Sequence, residues 1–118
     1  MTRLLPEYFS KVVATDVSDA QVTQARSLLS HHDNIHIRLG SGEQIFESDA
    51  SVHLVTICQA LHWLDVTRFY QEVDRVLVED GVLAVLGYHF TSPSPDQPKH
   101  DEVGKLIISS ICHCLRLD

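Results

Sequence analysis

The sequence has 118 residues, with 9 Lys plus Arg against 16 Asp plus Glu, a formal net charge of −7 with the histidines neutral. Hydrophobic residues make up 44% and charged residues 21%, the composition of one small globular domain able to bury a core. This balance argues against a non-specific nucleic-acid or anionic-membrane binder, because neutralising phosphates needs Lys and Arg clusters.

From the N-terminus, Leu4-Leu5 stands before Pro6-Glu7, far short of the apolar core of a signal peptide. Val12-Val13-Ala14-Thr15 is a short β-rich run. Asp16-Val17-Ser18 leads into a helix, where Ser18 and Gln21 fit a capping box and Val22, Ala25, Leu28 and Leu29 share one face. Ile35 to Leu39 is a second strand, with Ile35, Ile37 and Leu39 on one side, and Gly40-Ser41-Gly42 then turns the chain.

Val52 to Cys58 is composed almost wholly of β-formers and predicts a buried strand of parallel type. Asp65 caps the clearest helix, with Val66, Phe69, Tyr70, Val73, Val76 and Leu77 at helical spacing and Glu72 and Arg75 on the wet side. Asp80-Gly81 stops it, and Val82 to Leu86 is a fourth strand. Residues 91–99 hold three prolines and form a loop. Val103, Ile107, Ile111 and Leu115 repeat every four residues and predict a final helix over 100–118. Strands separated by helices or loops indicate an α/β domain with a mostly parallel sheet.

The three cysteines, Cys58, Cys112 and Cys114, suggest no disulfide framework, and a reducing, cytoplasmic compartment is the expectation. No apolar run approaches the roughly 20 residues of a membrane helix. Cys112-His113-Cys114 is too compressed for a zinc site without a second cluster, and His31-His32 reads as a solvated helix end, so no metal is expected.

In open parallel sheets, ligands bind beyond the carboxyl ends of the strands. Asp16 ends the first strand, Gly40-Ser41-Gly42 the second and Gln59-Ala60-Leu61-His62-Trp63 the third. A carboxylate there can accept both hydroxyls of a ribose, and it can equally begin a turn beside a helix N-terminus. The glycine turn lets a ligand approach backbone N–H groups, and it can equally be an ordinary tight turn. It is not the dinucleotide fingerprint, since Ile45 stands three residues beyond Gly42 and Asp16 lies upstream, which disfavours a nicotinamide enzyme.

In order, Val12-Val13-Ala14-Thr15-Asp16-Val17-Ser18, Ala25-Arg26, Gly40-Ser41-Gly42-Glu43, Gln59-Ala60-Leu61-His62-Trp63 and Gly81-Val82-Leu83 resemble the class I S-adenosylmethionine-dependent methyltransferases. The likeness covers residues 2 to 88 and is nearest to the branch that includes trans-aconitate methyltransferases. It implies a Rossmann-like fold, S-adenosylmethionine as cofactor and a small-molecule acceptor, with carboxylates among those of that branch. It further implies that Asp16 binds the ribose and Val17 packs on adenine. Ser41, Gly42 and Glu43 would form the turn at the adenine ring, and Gln59 and Ala60 would lie beside the methionine part. His62 and Trp63 would line the substrate side. A carboxylate acceptor needs no general base, so His62 is read as a wall residue and no catalytic residue is assigned.

The resemblance also implies a strand and Gly-rich loop ahead of Thr2–Phe9, itself expected as a helix, and two more strands beyond Tyr88. The expected fold is therefore incomplete: a partial methyltransferase domain over 1–90, the Pro-rich loop and the terminal helix. His53 departs from the family, which usually carries Asp there. The absent strand belongs between Val12–Thr15 and Val52–Cys58. Those two strands must then re-pair, accept a substitute or stay exposed and open to a partner. Without the Gly-rich loop, the chain alone is expected to bind the cofactor weakly or not at all. The other class of function left open is a short Rossmann-like interaction module without catalysis.

Overall fold

The computed structural model describes residues 2–87 and 112–116. The elements run β1 (Lys11–Asp16), α1 (Asp19–Leu28), β2 (Ile35–Leu39), β3 (Val52–Cys58), a 3-10 turn (Leu61–Trp63), α2 (Val66–Val76), β4 (Leu77–Leu86) and β5 (Cys112–Arg116). They build one five-stranded sheet in the order β2-β1-β5-β3-β4. β1 pairs parallel with β2, and β3 pairs parallel with β4. β5 lies between the two pairs, antiparallel to both β1 and β3.

The centre of the sheet is thus filled by residues 112–116, far along the chain from the strands on either side. Leu115 stands opposite Val12 on one side and Leu54 on the other, and it is fully buried. This corrects the terminal helix expected over 100–118, because residues 112–116 are a strand; 100–111 and the Pro-rich 91–99 lie outside the described residues. The physical reason is pairing. The facing edges of β1 and β3 each offer a row of backbone donors and acceptors, and filling both outweighs a weak local preference for helix.

A second correction falls on residues 2–9, expected as a helix. They form turns, with Tyr8 and Phe9 both donating to the Leu5 carbonyl. Pro6 has no N–H, and so short a segment does not recover the cost of helix nucleation. The amide of Asn34 donates to the carbonyls of Pro6 and Phe9 and holds these turns against the start of β2.

The strand periodicity is visible in burial. Val13, Val55 and Ile57 share a core with Phe69, Val73 and Val76 of α2 and with Ile45. Val12 and Ala14 alternate onto the opposite face and are fully buried, where α1 packs on β1 and β2. Ser18 caps α1 as its sequence suggests, its Oγ accepting from the Gln21 N–H at 3.4 Å. Leu28, read as inward, is 52% exposed, because only Val22 and Leu29 of that face reach the sheet.

α2 ends at Val76, short of the Asp80-Gly81 stop that the sequence suggests, and β4 begins at Leu77 rather than at Val82. Leu77 is already extended and pairs with Val52, and the register then jumps so that Val82 stands opposite Leu54. The extra residues form a bulge, with Asp80 at φ 66. Gly81 is needed there, since a Cβ would lie 2.9 Å from the Val78 carbonyl oxygen.

Glu72 and Arg75 are the clearest case of tertiary structure overriding pattern. They sit half-buried under the loop that joins β2 to β3. The guanidinium of Arg75 grips both oxygens of Glu72 and donates to the carbonyls of Ile45 and Glu47 and to Asp49. Glu72 also accepts from the Ile45 N–H at 2.8 Å. The hydrogen bonds from Arg75 hold the Glu72 carboxyl below the ordinary carboxylate range, against an opposing push from burial, and the Ile45 amide adds a smaller lowering of its own. A carboxylate depressed in the folded state adds stability above its unfolded value and loses it as pH falls through the folded one. Acid titration below about pH 5 should therefore lower the thermal midpoint, and Glu72→Gln should reduce that slope at a cost of about 1 kcal/mol at neutral pH. Equal acid slopes for the two proteins would remove Glu72 as a source.

Candidate functional site

Because β1, β2, β3 and β4 run parallel, their carboxyl ends share one edge of the sheet. Asp16, the Gly40-Ser41-Gly42 turn, Gln59 and Gly87 all stand along it. β5 runs the other way, so its first residue, Cys112, sits at this edge opposite Thr15 and Ile57.

Asp16 is 9% exposed and fixed from two sides. Its carbonyl accepts from the Gly40 N–H at 3.0 Å, which joins the ends of β1 and β2. Its Oδ1 accepts from the Ser18 N–H at 2.8 Å, which sets the carboxylate rotamer. Oδ2 has no partner among the described residues, and no buried side-chain oxygen or nitrogen there is left unpaired, so Oδ2 meets solvent. Beside it Val17 is 73% exposed, an apolar surface next to a held acceptor. One oriented carboxylate oxygen with an apolar flank suits the hydroxyls and ring face of a nucleoside.

The turn after β2 is built to stay tight. Ser41 Oγ accepts from the Glu43 N–H, and Gln44 N–H donates to the Ser41 carbonyl. Gly42 is buried, and a Cβ there would lie 3.0 Å from Leu64 Cδ1 and in contact with the Phe69 ring of α2, so the Leu64 side chain would have to shift to admit it. Glu43 Oε1 accepts from the Asp65 N–H at 2.5 Å. That carboxylate oxygen therefore ties the turn to the start of α2, a use that sequence spacing does not reveal.

Gln59 ends β3 in the left-handed region at φ 54, with its N–H donating to the Leu86 carbonyl. A non-glycine residue held there carries backbone strain of about 1 kcal/mol. Ala60 packs against the core. The 3-10 turn that follows carries His62 and Trp63, with ring centroids 4.9 Å apart. Gln59, Leu61, His62, Val66, Val85 and Leu86 wall a shallow, mainly apolar groove of about 320 Å³. Trp63 is 79% exposed and does not line it.

The fold thus gathers two groups. Asp16, Val17 and Ser41–Glu43 stand at the ends of the adjacent β1 and β2, and Gln59, Ala60 and His62 stand around the ends of β3 and β4. The start of β5 lies between them, and two strand spacings separate β1 from β3, about 10 Å. No group of three or more His, Cys, Asp or Glu residues able to hold a metal occurs among the described residues. No helix among them is long and apolar enough to cross a membrane.

The model of the family described as a methyltransferase domain matches residues 1–85. The chain belongs to this family. A Dictyostelium discoideum protein that carries a methyltransferase name is 37% identical over 84 residues, which are 71% of this chain and 30% of that protein. The YcgJ protein of Bacillus subtilis superposes with a TM-score of 0.64 at 26% identity, over 68% of this chain and 36% of its own. An S-adenosylmethionine-dependent methyltransferase from Aquifex aeolicus has a TM-score of 0.62 at 18% identity, over 90% of this chain and 68% of its own, and speaks for the fold alone. The chain spans about a third of the length of the first two. The Rossmann-like methyltransferase fold is therefore present in part, with β1 to β4 carrying the likeness to the family.

Proposed function

We propose that this chain is the nucleoside-holding part of an S-adenosylmethionine-dependent methyltransferase that acts on a small molecule. The observation that carries this reading is Asp16, with one carboxylate oxygen fixed by Ser18 and the other open beside exposed Val17. In this reading Asp16 accepts from the ribose hydroxyls and Val17 packs on adenine. The Ser41-Gly42-Glu43 turn borders the ring, and Gln59 and Ala60 face the methionine side. The cofactor, when bound, supplies a methyl group already activated on sulfur. What remains for these residues is to orient, to wall the site and to exclude water.

The acceptor belongs on the His62 side. Among the described residues the groove lining offers an imidazole and an amide but no ammonium or guanidinium. This favours an acceptor with an apolar body, and a single carboxylate oxygen suits it, being nucleophilic without a base. His62 then acts as a hydrogen-bonding wall.

β5 supports a second reading, a short Rossmann-like protein without catalysis, because it completes the sheet where the cofactor's Gly-rich loop would be expected. One titration separates the two. With S-adenosylmethionine added to the labelled chain, amide shifts should move at Asp16, Val17, Ser41, Gly42, Gln59 and Ala60. The affinity should be weak, with a Kd of about 100 µM or above, since the residues named here meet chiefly the nucleoside end of the cofactor. Asp16→Ala should weaken it by about tenfold further, the worth of a charge-assisted hydrogen bond. Shifts elsewhere, or none up to millimolar cofactor, would favour the non-catalytic protein.

A further inference from the structure

α1 and α2 each have the N–H of the capping residue itself satisfied from outside the helix. A capping box meets that need with a Glu or Gln at the third helical position, which reaches back to the N–H. In α1 the Ser18 N–H goes instead to Asp16 Oδ1 at 2.8 Å, two residues upstream. In α2 the capping residue is Asp65, whose carboxylate accepts from the Thr67 and Arg68 N–H groups. The third helical position there is Arg68, which has no acceptor to offer. The Asp65 N–H is taken by Glu43 Oε1 at 2.5 Å, from the turn after β2. The second half of the α2 capping box thus comes from the turn proposed to border the adenine ring.

This bond joins the two groups of site residues. On one side, Glu43 belongs to a closed turn, with its own N–H on Ser41 Oγ. That turn has little slack against Leu64, which a Cβ on Gly42 would meet at 3.0 Å. On the other side, the Asp65 carbonyl accepts from the N–H of Phe69, a fully buried core residue. Just before Asp65 lies the 3-10 turn, in which Trp63 N–H donates to the Ala60 carbonyl and Leu64 N–H to that of Leu61. Leu61, His62 and Val66 wall the groove. A shift of the Glu43 carboxylate therefore passes to the Asp65 peptide and on to the His62 wall through hydrogen-bonded backbone. Solvent reaches Asp65, so water could satisfy its N–H and the bond adds little to stability. Its consequence is geometric.

We propose that Glu43 is a positioning residue that couples the nucleoside side of the site to the acceptor side. Filling the nucleoside side fixes the Ser41–Glu43 turn, Glu43 fixes the Asp65 peptide, and the Leu61–Trp63 turn follows. The acceptor wall then takes its final position only when the cofactor turn is occupied. This rests on the nucleoside reading of Asp16, Val17 and the Ser41–Glu43 turn given above. A carboxylate suits the role, because a charge-assisted hydrogen bond is shorter and stronger than a neutral one and the N-terminus of α2 favours negative charge. The coupling is reciprocal, so an acceptor seated against His62 tightens the hold on the nucleoside.

The test is adenosine, which has no methionine arm, titrated into the labelled full chain, with amide shifts read at two sets of residues. In the wild type both sets should move: Asp16, Val17, Ser41 and Gly42 by contact, and Leu61, His62 and Trp63 through Glu43. Glu43→Ala should keep the first set and lose the second. Glu43→Gln retains an acceptor oxygen and should restore most of it. Adding Arg68→Glu to Glu43→Ala rebuilds a capping box within α2. That double variant should recover the stability that Glu43→Ala loses and still lack the second set, which separates coupling from capping. If Glu43→Ala fails to fold, Arg68→Glu alone carries the test, since its carboxylate competes with Glu43 for the Asp65 N–H and should shrink the second set. Movement of the first set alone in the wild type overturns the coupling and leaves the nucleoside reading standing. So does a second set that persists undiminished in Glu43→Ala or in Arg68→Glu, or that returns in the double variant. Stillness of both sets up to millimolar adenosine removes the nucleoside reading and the proposal with it.

Discussion

Leu115→Asp abolishes the cooperative unfolding transition of this chain. Leu115 has no exposed surface and stands in register with Val12 and Leu54, at the centre of the five-stranded sheet. A carboxylate there has no cation in reach along those registers, and burying it unpaired costs at least several kcal/mol. That is comparable to the whole stability of a domain of this size. Leu115→Ala grades the effect, with an expected loss of about 2–4 kcal/mol from lost transfer and the cavity left behind. Leu115→Met keeps the volume and should cost about 1 kcal/mol. Chemical denaturation of the three variants measures this series. Unfolding of Leu115→Asp at the wild-type midpoint would show that residues 112–116 do not hold β1 and β3 together.

Arg75→Ala should cost about 2–3 kcal/mol, more than any other substitution of a half-exposed residue described here. Its guanidinium holds the loop between β2 and β3 at the Ile45 and Glu47 carbonyls while chelating Glu72. Removing it strands two carbonyls and a carboxylate whose remaining partner is the Ile45 amide. Solvent reaches about a third of the Arg75 side chain, so water offsets part of that loss. Arg75→Lys keeps the charge but cannot span these acceptors with one planar fork, and it should recover less than half of the difference. Thermal unfolding of the two variants measures both effects. The loop also carries the Ser41–Glu43 turn, so Arg75→Ala should broaden the amide signals of Gly42 and Glu43. Sharp, unshifted signals there would separate the loop's anchor from the site.

Much of the fold was legible in the sequence because its signals are local. The valine run at 12–13 and the β-formers at 52–58 became strands. Ser18 and Asp65 became helix caps, and Phe69, Val73 and Val76 became core. Parallel strands then place Asp16, the Gly40–Gly42 turn and Gln59 at one edge, as the order of motifs suggests. The engagement of Glu43 with the Asp65 amide was not legible, since nothing in a 22-residue separation marks it. Glu72 and Arg75 read as a solvated pair, because periodicity reports which face of a helix is polar and not what lies over that face.

The opening numbers, 118 residues and a charge of −7, set one small domain whose motifs belong to the methyltransferase-domain family. By itself the sequence determined the βα units and the positions of the candidate ligand-holding residues, since propensity, capping and periodicity act over a few residues. Tertiary structure alone decided what fills the middle of the sheet. Leu115 closes the four-residue apolar repeat from Val103 that suits a helix, yet two open strand edges nearly a hundred and about sixty residues upstream recruit residues 112–116 as β5. Backbone hydrogen bonding is blind to sequence separation, so the largest unmet demand for partners, and not local preference, set the end of the chain. Among the described residues the same pairing leaves β2 and β4 outermost, with the Ile37 carbonyl of β2 capped by Arg26.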